Sequence, residues 1–472
     1  MRLLCRKKTT NKQTNNDNTK MTKILRIFNK ILLNHGSSTN ILLKQNLRSV
    51  INLTKYYYSS ENSSNVKNKK SPLYRQLYSK MMTCGPLSVA EYMKEILTHP
   101  NVGYYMTKDV FGLKGDFITS PEISQLFGEI IAVWIINEWI KISKDPFQLV
   151  ELGPGKGTLI QDVLRVFKKL QFLNKISIHL VEISPALSKI QAQNLCTHVE
   201  EINLADSKTQ IKENSIGHYK KGITEDGIEI YWYYSVTDIP KKFSIFLAHE
   251  FFDALPIHKF QKTDQGWSEV LVDVIPGIEE EKFRYVLSKG LTPAARVYIS
   301  EDESRDHVEI SPQSLVIIDY ISSFLMECGG FALIIDYGHI ADKTDTFRAF
   351  RKHKLHDPLL NPGSADLTAD VDFSLIQKIA LKDNRVISFG PISQRTFLKN
   401  LGIDLRLEMI LKNSTDVQKE QILSGYHMIM DADKMGERFK VLSLFPYVLS
   451  KYMDKWKVDG FKQENKNEQL QK

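Results

Sequence analysis

The chain has 472 residues, 42% hydrophobic and 25% charged, a globular balance with length for two or three domains. Its formal net charge of +8 is uneven: residues 1–70 carry 15 Lys and Arg against 2 Asp and Glu, leaving 48 basic and 53 acidic residues elsewhere, so the body lacks the basic footprint of a nucleic-acid binder. The four cysteines (Cys5, Cys84, Cys196, Cys328) are too scattered for a zinc site or a disulfide framework, and no apolar stretch approaches the roughly 18 residues of a membrane span.

Within residues 1–58, Ile24, Ile27, Phe28, Ile31 and Leu32 fall on one helical face, with Lys23, Arg26 and Lys30 on another. An acid-poor, basic, amphipathic helix reads as a mitochondrial transit peptide, against the plainer alternative of a disordered Asn-rich leader. Residues 59–71 read as a linker and 72–146 as an N-terminal helical cap. In that cap Leu73-Tyr74-Arg75-Gln76-Leu77 begins one helix, and Ser88 with Glu91 forms a capping box for a second. Gly115 to Ser124 is a loop in which Thr119 or Ser120 caps the helix that follows; its density of small and polar groups suits a cofactor lid.

Residues 147–256 read as the core of a doubly wound, mostly parallel α/β sheet. An apolar strand starts at Phe147 and passes Glu151 into Gly153-Pro154-Gly155-Lys156-Gly157, and a helix follows from Thr158. Alternate glycines permit a tight turn and remove Cβ atoms where a ligand must lie against backbone. The helix start then offers free N–H groups. A P-loop requires Gly five residues before Gly155, where Val150 stands; a dinucleotide fingerprint requires a third Gly at Thr158. E-x-G-x-G-x-G instead resembles motif I of the class I S-adenosylmethionine methyltransferases, with a plain glycine-rich turn as the bland reading. The second strand, Ile176 to Val181, ends at Glu182, an acid placed to accept ribose hydroxyls, 29 residues after Gly153. Residues 205–228 look like a loop insertion, Ile230 to Ser235 is the third strand, and Ser244 to Glu250 is the fourth.

Residues 257–310 read as a β-rich insertion, with two or three antiparallel strands between Phe260 and Leu287 turning at Gly266 and Pro276-Gly277. Residues 311–445 return to the core with an inserted loop at 339–370: a helix over Leu315 to Cys328, a fifth strand from Gly330, and a closing strand from Phe439. Arg348, Arg351, His353 and His356 read as a solvated or partner-facing basic segment, and 446–472 as a polar tail.

Several stretches together resemble one family. They are Gly115-Asp116-Phe117, Thr119 with Pro121-Glu122-Ile123-Ser124, Phe127-Gly128-Glu129, the motif I loop, Glu250 to Pro256, Asp336-Tyr337-Gly338, Pro362-Gly363, Asp366 to Ala369 with Val371-Asp372-Phe373, and Met435-Gly436-Glu437 with Phe439 to Leu442. These look like the MidA-type family of mitochondrial complex I assembly-factor methyltransferases, over about residues 72–445. His249 departs from an expected Asn, and Phe347 from an expected Leu. The resemblance implies a class I Rossmann-like fold and S-adenosylmethionine as cofactor, with no metal. It also implies symmetric dimethylation of an arginine in a 49-kDa-type core subunit of NADH:ubiquinone oxidoreductase, in the matrix. Cofactor contacts are expected from Glu151, Gly153, Gly155, Gly157, Glu182, Thr119 and Ser235, and catalysis from Glu250 and Asp253 at the carboxyl end of the fourth strand. An assembly chaperone that merely retains the fold and a small-molecule methyltransferase are the alternatives. The intact motif I loop with Glu182 speaks against the first, and the large insertions against the second.

Overall fold

A computed structural model describes residues 70–106, 119–202, 217–278, 280–453 and 455–461. The transit-peptide reading, most of the linker and the Gly115-Asp116-Phe117 segment lie outside these residues. Helix α1 (Pro72–Cys84) starts with Pro72 at its first turn, where the missing N–H costs nothing, and Ser71 caps Tyr74. Strand β1 (Leu87–Ser88) leads into α2 (Val89–Thr98), opened by the Ser88–Glu91 capping box. A one-turn helix, Ser120–Ile123, precedes α3 (Gln125–Ile142), whose nearly unbroken apolar sequence is buried on most sides.

The core then runs β2 (Phe147–Leu152), α4 (Thr158–Lys169), β3 (Ile176–Val181), α5 (Pro185–Leu195), β4 (His198–Glu201), β5 (Lys220–Ile223), β6 (Glu229–Tyr233) and β7 (Ser244–His249). The insertion supplies β8 (His258–Thr263), β9 (Gly266–Val274), β10 (Phe283–Leu287) and β11 (His307–Ile310). Next come α6 (Pro312–Cys328), β12 (Gly330–His339), β13 (Arg348–Arg351), β14 (Lys354–His356), β15 (Asp366–Thr368), β16 (Val371–Asp372), α7 (Phe373–Ala380) and β17 (Val386–Ser393). Helices α8 (Gln394–Asn400), α9 (Ile403–Lys412) and α10 (Asp416–Met430) precede the last strand, β18 (Phe439–Pro446).

The main sheet has the order β17-β18-β12-β7-β2-β3-β6-β5-β4. Its five middle strands, β12 to β6, are parallel. The order reverses between β2 and β7, which creates a switch point at their carboxyl ends, where ligands bind in open α/β sheets. Strand β18 does not close the sheet as the sequence reading has it; β17 pairs beyond it antiparallel, across an irregularity at Phe389/Ile392. The residues after 217 are not loop either, because β5 pairs antiparallel with β6 and carries β4 at the edge.

The insertion strands form a separate antiparallel sheet, and β1 joins it through Leu87 opposite Val272. Helices α1 and α2 therefore share a core with the insertion, in which Leu73, Tyr92 and Met93 meet Val272, Phe283 and Leu367. Helix α3 goes elsewhere, packing Trp134 and Trp139 into the core of the main sheet. The described residues after Pro446 dock on the body: Asp459 receives Trp134 Nε1 at its carbonyl (2.9 Å) and pairs with Lys141 (2.8 Å). Among the described residues, no helix is long and apolar enough to cross a membrane.

Candidate active site

A cavity of about 1310 Å³ opens over the carboxyl ends of the parallel strands. It exceeds the roughly 300–1,000 Å³ of an ordinary ligand pocket, so it has room for a cofactor and a substrate side chain together. Gly153 and Gly155 reach it from β2, Glu182 from β3, Ser235 from β6, and Glu250 and Asp253 from β7. Glu151, Gly157 and Thr119 are not part of its wall.

The glycines divide by task. Gly153 (φ +63°), Gly155 (φ +54°) and Gly157 (φ +82°) all lie in the left-handed region, which L side chains rarely adopt. A Cβ on Gly153 would sit 2.8 Å from the Phe251 ring, and one on Gly157 2.9 Å from Leu195 of α5. Those two glycines let neighbouring elements close on the loop, while Gly153 and Gly155 both line the cavity. Thr119 forms a capping box with Glu122 on the one-turn helix, and that turn brings Glu122 and Ile123, rather than Thr119, to the cavity.

Glu182 is buried at the end of β3, and burial pushes its pKa up to about 7. Its Oε1 accepts from Ser184 N–H at 2.7 Å and its Oε2 from Gln191 Nε2 at 2.9 Å. Each carboxylate oxygen has two acceptor sites. With Ile183 N–H as a further donor the carboxyl still keeps acceptor capacity toward the cavity, which fits a hydroxyl-bearing group such as the ribose of S-adenosylmethionine. Gln191 is a residue the sequence reading missed. Its Nε2 also donates to Gly155 O (2.7 Å), and its Oε1 accepts from Trp232 Nε1 (2.9 Å), so one side chain ties the glycine loop to Glu182. Nothing in sequence marks a glutamine inside a helix for such a task.

Glu151 lies in the middle of the sheet, its register partners Leu180 and Leu247, with Oε2 buried and unbonded. Burial pushes its pKa up to about 8.

The other end of the cavity is acidic. Glu250 follows β7 directly and has φ +50°, its N–H tied to Ile335 O at 3.0 Å. Its carboxyl accepts Ser120 N–H (3.1 Å), and burial, followed by the charge of Asp253, pushes its pKa well above the usual carboxylate range. Asp253 takes the Thr368 hydroxyl at Oδ2 (2.7 Å), and burial pushes it up to about 6. Asp366 reaches the same end and accepts from Tyr105 Oη at 2.6 Å. Asp336 does not reach the cavity wall; its Oδ2 accepts from the backbone N–H groups of Phe251, Phe252 and Asp253. Burial raises Asp336 too, and the Asp253 and Glu250 carboxyls add to that.

The His249 ring packs against Phe127 and Phe439 and brings its Nε2 to 3.3 Å from Glu250 Oε1; burial drives its pKa down to about 3, so it is neutral. Arg348 is not a solvated surface residue. It pairs with Asp370 at 2.6 Å and sits over the rings of Tyr337 and Phe350. From there its charge limits the rise that burial gives Asp253 and helps hold Asp370 below the usual range. Helix α10, unread in the sequence, supplies a wall through Gln421, Ser424 and Met428. Among the described residues, no group of three His, Cys, Asp or Glu side chains is placed to hold a metal ion.

Comparison with known proteins agrees with this geometry. A family described as "Putative S-adenosyl-L-methionine-dependent methyltransferase" matches residues 130–392. The Homo sapiens protein named "Protein arginine methyltransferase NDUFAF7, mitochondrial" is 51% identical over 397 residues, 83% of this chain and 87% of that one. Its Drosophila melanogaster homolog of the same name is 48% identical over 405 residues, 85% and 91% of the two chains. Both names place those relatives in the mitochondrion, and this chain is placed there with them. Among solved structures, a superfamily member from Burkholderia thailandensis bound to S-adenosyl-homocysteine aligns with TM-score 0.63 at 21% identity, over 82% of this chain and 96% of its own, and shares the fold. The chain belongs to the S-adenosyl-L-methionine-dependent methyltransferase family.

Proposed function

We propose that this chain methylates an arginine side chain of a protein, with S-adenosylmethionine as donor, and that its substrate is the 49-kDa-type core subunit of NADH:ubiquinone oxidoreductase in the mitochondrial matrix, whose assembly requires the reaction. The observation that carries this is the two-ended cavity. One end presents Gly155 and Glu182, and the other presents the carboxyls of Glu250, Asp253 and Asp366. The relatives named as protein arginine methyltransferases support the choice of substrate class.

The cofactor supplies a methyl group on a sulfonium; the rest is this chain's own work. Glu182 would hold the ribose hydroxyls and the Gly155 backbone would border the cofactor. A guanidinium is cationic, stays protonated in water and has no free lone pair. Burial and the Asp253 charge hold the Glu250 carboxyl well above the usual carboxylate range, so Glu250 releases its proton as a cation enters beside it and Asp253, and a planar guanidinium can then be gripped bidentately. The carboxylate held against the reacting nitrogen keeps charge away from it and takes the proton that nitrogen sheds. Alignment of this kind is worth on the order of 7–11 kcal/mol.

Glu250→Gln keeps the shape and removes the acid. Purified variant should bind S-adenosylmethionine with near wild-type affinity by calorimetry, yet fail to methylate the 49-kDa-type subunit as followed by peptide mass spectrometry. Normal methylation by this variant would overturn the assignment of Glu250. Complex I assembly that proceeds without the mark would mean that the chain acts in assembly as a scaffold.

A further inference from the structure

We propose that Asp336 is a positioning residue that holds Glu250 in its left-handed backbone conformation, and so aims the carboxyl on which the methylation reading rests. Residues other than Gly visit positive φ at a steric cost, and they stay there only when their surroundings enforce it. At Glu250 the enforcement is visible. The N–H of Glu250 is fixed to Ile335 O, so β7 and β12 keep their register up to the residue where the chain reverses.

The next three N–H groups then converge on one oxygen of Asp336, from Phe251 at 3.1 Å, Phe252 at 2.9 Å and Asp253 at 3.3 Å. The second oxygen accepts Tyr337 N–H at 2.8 Å. Asp336 is itself wholly buried near the end of β12, among packed strands that leave it nowhere else to go. Successive N–H groups aimed at one acidic oxygen form a nest, and this nest forms only if the chain turns at residue 250. The same turn carries the Glu250 side chain to the cavity, where Ser120 N–H meets it.

Asn at 336 can satisfy the three N–H groups or Tyr337 N–H, but its amide then presents a donor to the remaining donor. The test is a stability and kinetic cycle on the full chain with Asp336→Asn, Glu250→Gly and the double variant, unfolded in urea. Gly adopts φ +50° freely, so Asp336→Asn should lower the urea midpoint less than half as much in the Glu250→Gly background as in wild type. Equal losses in both backgrounds would mean a merely structural acid and would overturn the proposal. Should Asp336→Asn not fold, Glu250→Gly against Glu250→Ala decides: the Gly variant should be the more stable, and a reversed order would show no strain for Asp336 to hold. In methyl transfer to the 49-kDa-type subunit, Asp336→Asn should cut kcat on the order of a hundredfold and leave the Kd of S-adenosylmethionine unchanged. A wild-type kcat overturns the aiming role. A cycle that behaves as expected while Glu250→Gln still methylates would keep the positioning of residue 250 and discard its catalytic reading.

Discussion

Replacing Glu151 by Gln should stabilise the protein, and only at neutral to alkaline pH. In the unfolded chain this carboxyl ionises near its ordinary 4.5, but in the folded chain burial moves it up to about 8. Its register partners on β3 and β7 are leucines, and its Oε2 has no partner. A raised carboxyl holds its proton in the native state where the unfolded state has already lost it. The native state is therefore favoured at low pH, and that advantage drains away as pH rises from about 4.5 to about 8, then stays level. Three and a half pH units at about 1.4 kcal/mol each set a ceiling of about 5 kcal/mol; water drawn in beside the charge reduces it to a few. Gln has the same shape and cannot ionise. Urea unfolding of both proteins at pH 5, 7 and 9 should give nearly equal stabilities at pH 5 and a gap of about 3 kcal/mol or more in favour of Gln at pH 9. Other buried acids tilt both curves alike and cancel in the difference. Parallel curves would show that Glu151 is not buried as an uncompensated acid.

Two further expectations concern binding and delivery. Glu182→Ala should weaken S-adenosylmethionine by roughly 1–3 kcal/mol in calorimetry, the cost of unpaired ribose hydroxyls, while Gly155→Val abolishes binding with an unchanged circular dichroism spectrum; unchanged affinity in both would move the cofactor away from this loop. Deleting residues 1–58 should leave a folded protein in the cytosol on cell fractionation, and mitochondrial recovery of the shortened chain would refute the presequence reading.

The central strands were legible because each parallel strand buried on both faces is a nearly continuous apolar run, as β2, β7 and β12 are. The glycine turn after β2 and the acid that ends β3 were legible as structure because local chemistry dictates such a turn, and Gly153, Gly155 and Glu182 do line the cavity. What escaped was non-local. Whether Glu151 or Glu182 reaches the cavity wall depends on where each strand ends relative to the turn, and alternation cannot fix that to one residue. Strands β4 and β5 are polar and sit at an edge, so they carry no hydrophobic signal. Gly157 looks like a ligand glycine in sequence, yet it is absent from the cavity wall and accommodates Leu195, and Gly153, which does line the cavity, must also admit Phe251; both partners are distant along the chain.

The pairing of β1 with β9 also bears on how the chain can fold as it emerges. Leu87 closes against Val272, and Tyr74 stacks on Phe283. Helices α1 and α2 thus begin to close their core about two hundred positions downstream, and finish it only when Leu367 has appeared. Threaded N-terminus first, the chain would hold Leu77, Tyr92 and Met93 in water throughout the synthesis or passage of the entire first half of the methyltransferase core. Long-range closure of this kind slows folding and leaves apolar faces open to association. The protein should therefore lean on a holding chaperone during entry, and the leading helices should be the last part to gain hydrogen-exchange protection, not the first.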